Sequence, residues 1–142
     1  MNRFTKIGSK GQHLADDAKK WVAVLDNTTR LMWSADDVGG GVKHAGAENA
    51  VASLSLAGFS DWRLPTVEEL FPLAERSRCR PAIDTTFFPT CKSDWYWTST
   101  PWAPSPAGYA WVVAFDHDDS YGHYRDYNAR VRAVRSVAGA GQ

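Results

Sequence analysis

The sequence predicts an α+β domain, and three observations carry the prediction. Two short apolar runs, Trp21-Val-Ala-Val-Leu25 and Leu31-Met-Trp33, flank the turn-forming segment Asp26-Asn-Thr-Thr-Arg30. Apolar residues then recur at helical spacing in two separate stretches, the second announced by a capping sequence at Thr66. After residue 93 the period becomes that of strands, rich in aromatic and β-branched side chains. A strand, two helices and then an antiparallel sheet of non-local strands make an α+β order.

Each element has a local reason. The first two apolar runs read as a hairpin, or as a strand with a sharp return. Asp36-Asp-Val-Gly-Gly-Gly41 reads as a loop. Ala47, Ala50, Val51 and Leu54 then place a helix near 43–57, with Gly58 as its stop. Thr66 stands three residues before Glu69, so a capping box can satisfy the first free N–H groups of a second helix. Its buried stripe is expected at Val67, Leu70, Phe71 and Ala74. Arg76–Lys92 is irregular, broken by Pro81 and Pro89 and pinned to the core by Phe87 and Phe88. Strands are expected near 94–99, 109–115 and 130–137, with Tyr121–Arg125 offering another. Pro101, Pro104 and Pro106 exclude a tight two-residue hairpin between the first two.

The chain has 142 residues, read as a single domain over 1–142 with its core at about 18–137 and a flexible tail at 138–142. Lys plus Arg equals Asp plus Glu at 16 each, so no whole-molecule field draws it to nucleic acid or an anionic membrane. No stretch approaches 18 consecutive apolar residues, and the first ten residues lack the apolar run of a signal peptide. No membrane insertion is expected, and as encoded the product is expected in the cytoplasm or on a phage. Cys79 and Cys91 match no zinc spacing and are read as free thiols.

The chain lacks Gly-x-Ser-x-Gly, His-Glu-x-x-His and any phosphate-cradling glycine loop, and no catalytic residue is assigned. Attention falls instead on Asp116-His-Asp-Asp-Ser-Tyr-Gly-His-Tyr-Arg-Asp-Tyr-Asn128, framed by the strand residues before it. Tyrosine offers contact area at low entropy cost beside adaptable Ser and Asp, so the run reads as a recognition surface. A solvated loop and edge strand would show much of the same polarity. The rings of His117, Tyr121, His123, Tyr124 and Tyr127 favour binding, with Tyr121, Tyr124 and Tyr127 as the expected hot spots. Asp116, Asp118, Asp119, Arg125 and Asp126 would set specificity, Ser105 and Ser120 join the ligand-binding residues, and Trp102 would anchor the rim; core packing is an equal reading for Trp102. Asp116, Asp118 and Ser120 alternate as in a calcium loop, but Tyr121 occupies the required glycine position and no Glu closes the ring at Tyr127. No metal or other cofactor is assigned.

Other candidates read as structure. Trp62 and Arg63 precede a capped helix and form a corner, while Trp33, Trp95, Trp97 and Trp111 belong to the core or its margin. Arg130, Arg132 and Arg135 on a terminal strand are expected to pair with local carboxylates.

Several segments together carry a resemblance: Trp21…Leu31-Met-Trp33, Gly58-Phe-Ser-Asp-Trp-Arg-Leu-Pro-Thr66, Ala82-Ile-Asp84 with Phe87-Phe-Pro89, Trp95-Tyr-Trp-Thr-Ser-Thr-Pro101 and Val131-Arg-Ala-Val-Arg135. They resemble the bacterial and phage domain family found at the carboxy terminus of the Lcl collagen-like adhesin, over roughly residues 18–137. The resemblance implies a C-type-lectin-like fold, with two helices packed on antiparallel strands and long loops. It also implies a non-catalytic module that binds a protein or glycan on another surface, such as a sulfated glycan. Some members are variable proteins of diversity-generating retroelements, which here would rewrite residues about 94–135. Asp116–Asn128 contains none of the residues an AAY codon cannot reach, namely Lys, Glu, Gln, Met and Trp. The calcium motifs of sugar-binding C-type lectins are absent. Two other classes compete: a trimerising or structural adhesin or fibre module, and a formylglycine-generating type of enzyme using Cys79 and Cys91 with copper.

Overall fold

The computed structural model describes residues 3–75, 78, 81–115 and 119–137, with the backbone alone at Gly39 and Asp119. The architecture is α+β. Its strands are β1 (Phe4–Ile7), β2 (Ala23–Asp26), β3 (Leu31–Ser34), β4 (Gly39–Val42), β5 (Trp95–Pro101), β6 (Tyr109–Ala114), β7 (Asp119–Tyr124), β8 (Ala129–Val131) and β9 (Val134–Ser136). Between β4 and β5 lie helix α1 (His44–Ala52), helix α2 (Val67–Leu70) and a 3₁₀ turn at Phe71–Leu73. One sheet has the order β1-β2-β3-β9, the other β4-β8-β5-β6-β7. Pairing is antiparallel apart from a parallel contact of β5 with β8 at Tyr96 and Arg130.

The central strands are buried on both faces, which is why their sequences read as apolar runs and not as alternation. Val24, Trp33, Tyr96, Val113 and Val134 point into one cluster, with Leu70, Leu73, Ile83, Phe88 and Phe115. Leu25, Met32, Trp97, Val112 and Val131 point into a second, closed by Ala47 and Val51 of α1 and by Trp62 and Leu64. The expected terminal strand divides at Arg132 and Ala133, so that β8 joins one sheet and β9 the other. Arg132, fully buried, holds that crossing by donating to the carbonyls of Ser34 and Ala35 at 2.6 and 2.9 Å.

Four elements differ from the sequence reading. Phe4–Ile7, outside the expected core, forms the edge strand β1 with Phe4 and Ile7 buried. Its pairing residues are distant, and Lys6 is accommodated by donating to the carbonyls of Asp16 and Ala18 with its Nζ 3.9 Å from the Trp21 ring. The glycine run expected as a loop is strand β4, paired with β8 through a register shift. Glycine carries no side-chain pattern, so only the partner strand reveals the pairing. Helix α1 ends at Ala52, short of 57, because residues 53–59 turn back through Ala57 and Gly58 at positive φ. The indole of Trp62 fixes that turn by donating to the carbonyls of Leu56 and Phe59, as a structural corner should. Finally, the strand offered at Tyr121–Arg125 is β7, which already begins at Asp119 and takes in most of the described part of the expected recognition loop.

The second helix follows its cap. Thr66 Oγ1 accepts from Glu69 N while Glu69 Oε1 accepts from Thr66 N, the full capping box. The helix is a single turn before Pro72 continues it as 3₁₀. The three arginines find local carboxylates: Arg130 with Asp37 and Asp94, Arg132 with Asp37, and Arg135 with Asp61.

Candidate functional site

The register of β7 on β6 decides which way each candidate points. Tyr109, Trp111 and Val113 stand opposite Tyr124, Gly122 and Ser120, and alternate with Ala110, Val112 and Ala114 opposite His123, Tyr121 and Asp119. Alternate residues take opposite faces of the sheet. Thus Tyr124 emerges on one face of this edge strand, and Tyr121 and His123 on the other.

On the first face, Trp102 rests against Gly122 and packs 5.2 Å from Tyr109, whose ring lies 5.4 Å from Tyr124. On the second, Trp95 meets Tyr121 edge-on at 5.7 Å and His123 at 4.5 Å. Tyr127, in the turn after β7, contacts both Tyr124 and His123, at 5.2 and 5.3 Å. The rings therefore form an unbroken band around the sheet edge. Its solvent-facing members are Trp95 and Tyr124, each 37 % exposed, and Tyr127 at 60 %; among the described residues these are the exposed large hydrophobic side chains.

Trp95, expected in the core or at its margin, is exposed at the surface. It is the first residue of β5, and the strand end leaves the ring uncovered. The tryptophan two positions on, Trp97, is fully buried on the same face, with its indole donating to the Val42 carbonyl.

Other candidates have internal tasks. His123 is only 6 % exposed; burial holds its pKa below the usual 6.5, while a hydrogen bond to the Asn128 backbone and the charge of Asp94 push the other way. Its Nε2 is buried and has no hydrogen-bond partner. Arg125 spans the turn, donating at 2.9 Å both to His44 Nδ1 and to the Pro106 carbonyl. His44, which has no chemical neighbour in the sequence, is buried on α1, and its Nε2 lies 2.9 Å from the Thr98 carbonyl. A carbonyl can only accept, so Nε2 carries the proton and Nδ1 accepts from the guanidinium. Arg125 is thus a positioning residue for the turn that presents Tyr124, Asp126 and Tyr127. Sequence separation hid that role.

Ser105 caps its own turn, its carbonyl accepting from Gly108 and Tyr109. Ser120 and Tyr121 are half-buried on β7, and Asp119 is described by its backbone alone. Asp126 is exposed and accepts from the Tyr124 hydroxyl, which raises the Tyr124 pKa. Asp116, His117 and Asp118 lie outside the described residues, as do Cys79 and the tail 138–142. Cys91 is a buried free thiol, its pKa raised by burial.

A cavity of about 620 Å³ lies elsewhere, between the loop at Gly8–Gln12, Lys19–Val22, Asp36 and Pro89. Its aromatic wall is committed to the fold, because Trp21 donates to the Phe87 carbonyl and lies against Lys6. The ring band is preferred as the site because its rings are both contiguous and exposed. Among the described residues, no group of three or more His, Cys, Asp or Glu could hold a metal ion, and no helix is long and apolar enough to cross a membrane.

Residues 22–135 match the Lcl C-terminal domain, and the whole band falls within that span. No curated protein matches the chain.

Proposed function

The chain belongs to the Lcl C-terminal domain family, and from that premise we propose that it is a non-catalytic binding module whose ligand face is the aromatic band around β7. The observation that carries this reading is the exposure of Trp95, Tyr124 and Tyr127 within one run of ring contacts, Tyr127 touching Tyr124 directly and linked to Trp95 through His123. Exposed aromatic rings on a rigid support are the usual anchors of protein and glycan recognition. Around them the hydrogen bonds of Arg125 and Ser105 fix the backbone, so little ordering entropy is left to lose on binding.

We read the scaffold as a C-type-lectin-like fold. Support comes from the helix-helix-sheet order and from the first and last strands, β1 and β9, lying in one sheet. Retroelement diversification of residues about 94–135 is part of the same proposal. A reverse transcriptase gene beside this one, with a near-copy of these codons differing at adenines, would support it; a neighbourhood without both would remove it.

The face is tested by screening a panel of surface glycans and surface proteins with the intact chain and with a Tyr124→Ala, Tyr127→Ala variant checked for native circular dichroism. Loss of two anchors should weaken any true ligand by about tenfold or more. A panel member that binds both proteins equally would place the site elsewhere.

A further inference from the structure

We propose that the aromatic band recognises a cationic side chain, an arginine or lysine on an extended basic segment of a partner protein, seated between Trp95 and Tyr127 over His123. The inference rests on the proposed ligand face and names the chemistry of its partner.

Three observations converge. First, the rings themselves attract cations: a guanidinium or ammonium group within about 6 Å of a Trp or Tyr face is stabilised by the ring quadrupole, most strongly where water is partly excluded. Trp95 and Tyr127 both contact His123, from 4.5 and 5.3 Å, and are the exposed members of that cluster. Second, His123 Nε2 is buried without a hydrogen-bond partner. In the neutral tautomer protonated at Nδ1, Nε2 holds a lone pair, and an N–H donor inserted between the two rings would supply its missing partner. An anion or a carbonyl could not, since neither carries a proton to donate.

Third, the charges at the face favour a cation. Arg125 is turned inward to His44 and Pro106, and Arg130 is held by Asp37 and Asp94. Arg130 is thus neutralised, and both Nη groups of Arg125 are engaged within the turn. Asp126 is exposed and accepts from the Tyr124 hydroxyl, so a carboxylate stands beside Tyr124 with no arginine or lysine paired to it among the described residues. A sulfated chain would meet that carboxylate and, among the described residues of the face, arginines whose side chains are already engaged within the fold; a basic segment would be attracted to the carboxylate.

The test uses the intact ¹⁵N-labelled chain with two probes, an N-acetylated hexa-arginine amide and dextran sulfate, followed by the Trp95 indole N–H and the amides of Tyr124 and Tyr127. Hexa-arginine should shift these signals, and its affinity should fall about tenfold in the Tyr124→Ala, Tyr127→Ala variant, which keeps every charge. Asp126→Asn should weaken it about threefold. Equal affinity for the double tyrosine variant would reduce the effect to bulk charge and overturn the proposal. Shifts caused by dextran sulfate and not by hexa-arginine would also overturn it, while leaving the ligand face itself intact. If neither probe moves these signals the cationic reading falls, and the glycan and protein panel then decides separately whether the face binds at all.

Discussion

Trp102 and Gly122 share one place on the sheet: a β-carbon added to Gly122 would stand 2.5 Å from Trp102 Cδ1. Real β-carbons do not approach so closely, so the glycine is what admits the indole. Trp102 in turn supports Tyr109, and Tyr109 supports Tyr124. The residue that shapes this side of the band therefore has no side chain at all.

Gly122→Ala should displace the indole and cost about 1–3 kcal/mol in urea denaturation, the range for overpacking a filled site. Trp102→Ala in the same chain should relieve the clash, so the double variant should lose less than the two single losses added together. Strict additivity would show that the indole does not occupy that place in solution.

Arg132 is fully buried and carries a second test. Its guanidinium donates to Ser34 and Ala35 and approaches Asp37 at 3.5 Å, while Tyr96 donates to the same carboxylate at 2.6 Å. Removing one partner of a buried charged network leaves the others unsatisfied, so Arg132→Met should cost about 3–5 kcal/mol in equilibrium unfolding. Arg135→Met, whose partner Asp61 is exposed, should cost no more than about 1 kcal/mol. Equal losses would mean that Arg132 does not hold the crossing between the sheets.

What could be read beforehand follows from range. The capping box at Thr66 and Glu69, the corner at Trp62 and the hairpin after Trp21 are local, and each was legible from spacing. Strand β1 was not, because the partner of Phe4 is Asp26 and nothing near Phe4 announces it. The glycine strand β4 was hidden for the same reason. In the candidate site, the exposure of Tyr124 and Tyr127 was legible from residue type, whereas that of Trp95 was not, because type alone does not say which end of a strand is covered. The Arg125 and His44 pair spans 81 positions and has no local signature.

Glu69 predicts an acid limb. Its hydrogen bond with Arg63, at 2.7 Å, and that from the Thr66 backbone hold its pKa below the usual 4.5, against a smaller opposing effect of burial. A carboxyl lowered in the folded state contributes stability that is complete above its unfolded value and is lost as pH falls through the folded one. Urea midpoints followed from about pH 6 to pH 2 should therefore drop more steeply for the native chain than for Glu69→Gln, which should already be weaker near neutrality. Superimposable profiles would detach Glu69 from the cap.

His123 predicts a second limb at higher pH. Burial lowers its pKa from 6.5, outweighing the Asn128 hydrogen bond and the charge of Asp94. Trp95, Trp97 and Tyr127 pack around the ring, and among the described residues the charge acting on it is that of Asp94. Below 6.5 the unfolded histidine takes up a proton that the folded one resists, and the unfolding free energy falls by at most about 1.4 kcal/mol per pH unit until the folded value is reached. Above that window the contribution is complete. His123→Phe should remove this limb, leaving those of the other histidines, and the difference between the two profiles measures it. Protonation also takes the lone pair from Nε2 and puts a positive charge among the rings, so hexa-arginine binding should weaken with falling pH in the native chain. A binding profile flat across the range in which an NMR titration shows His123 taking up its proton would separate the histidine from the ligand.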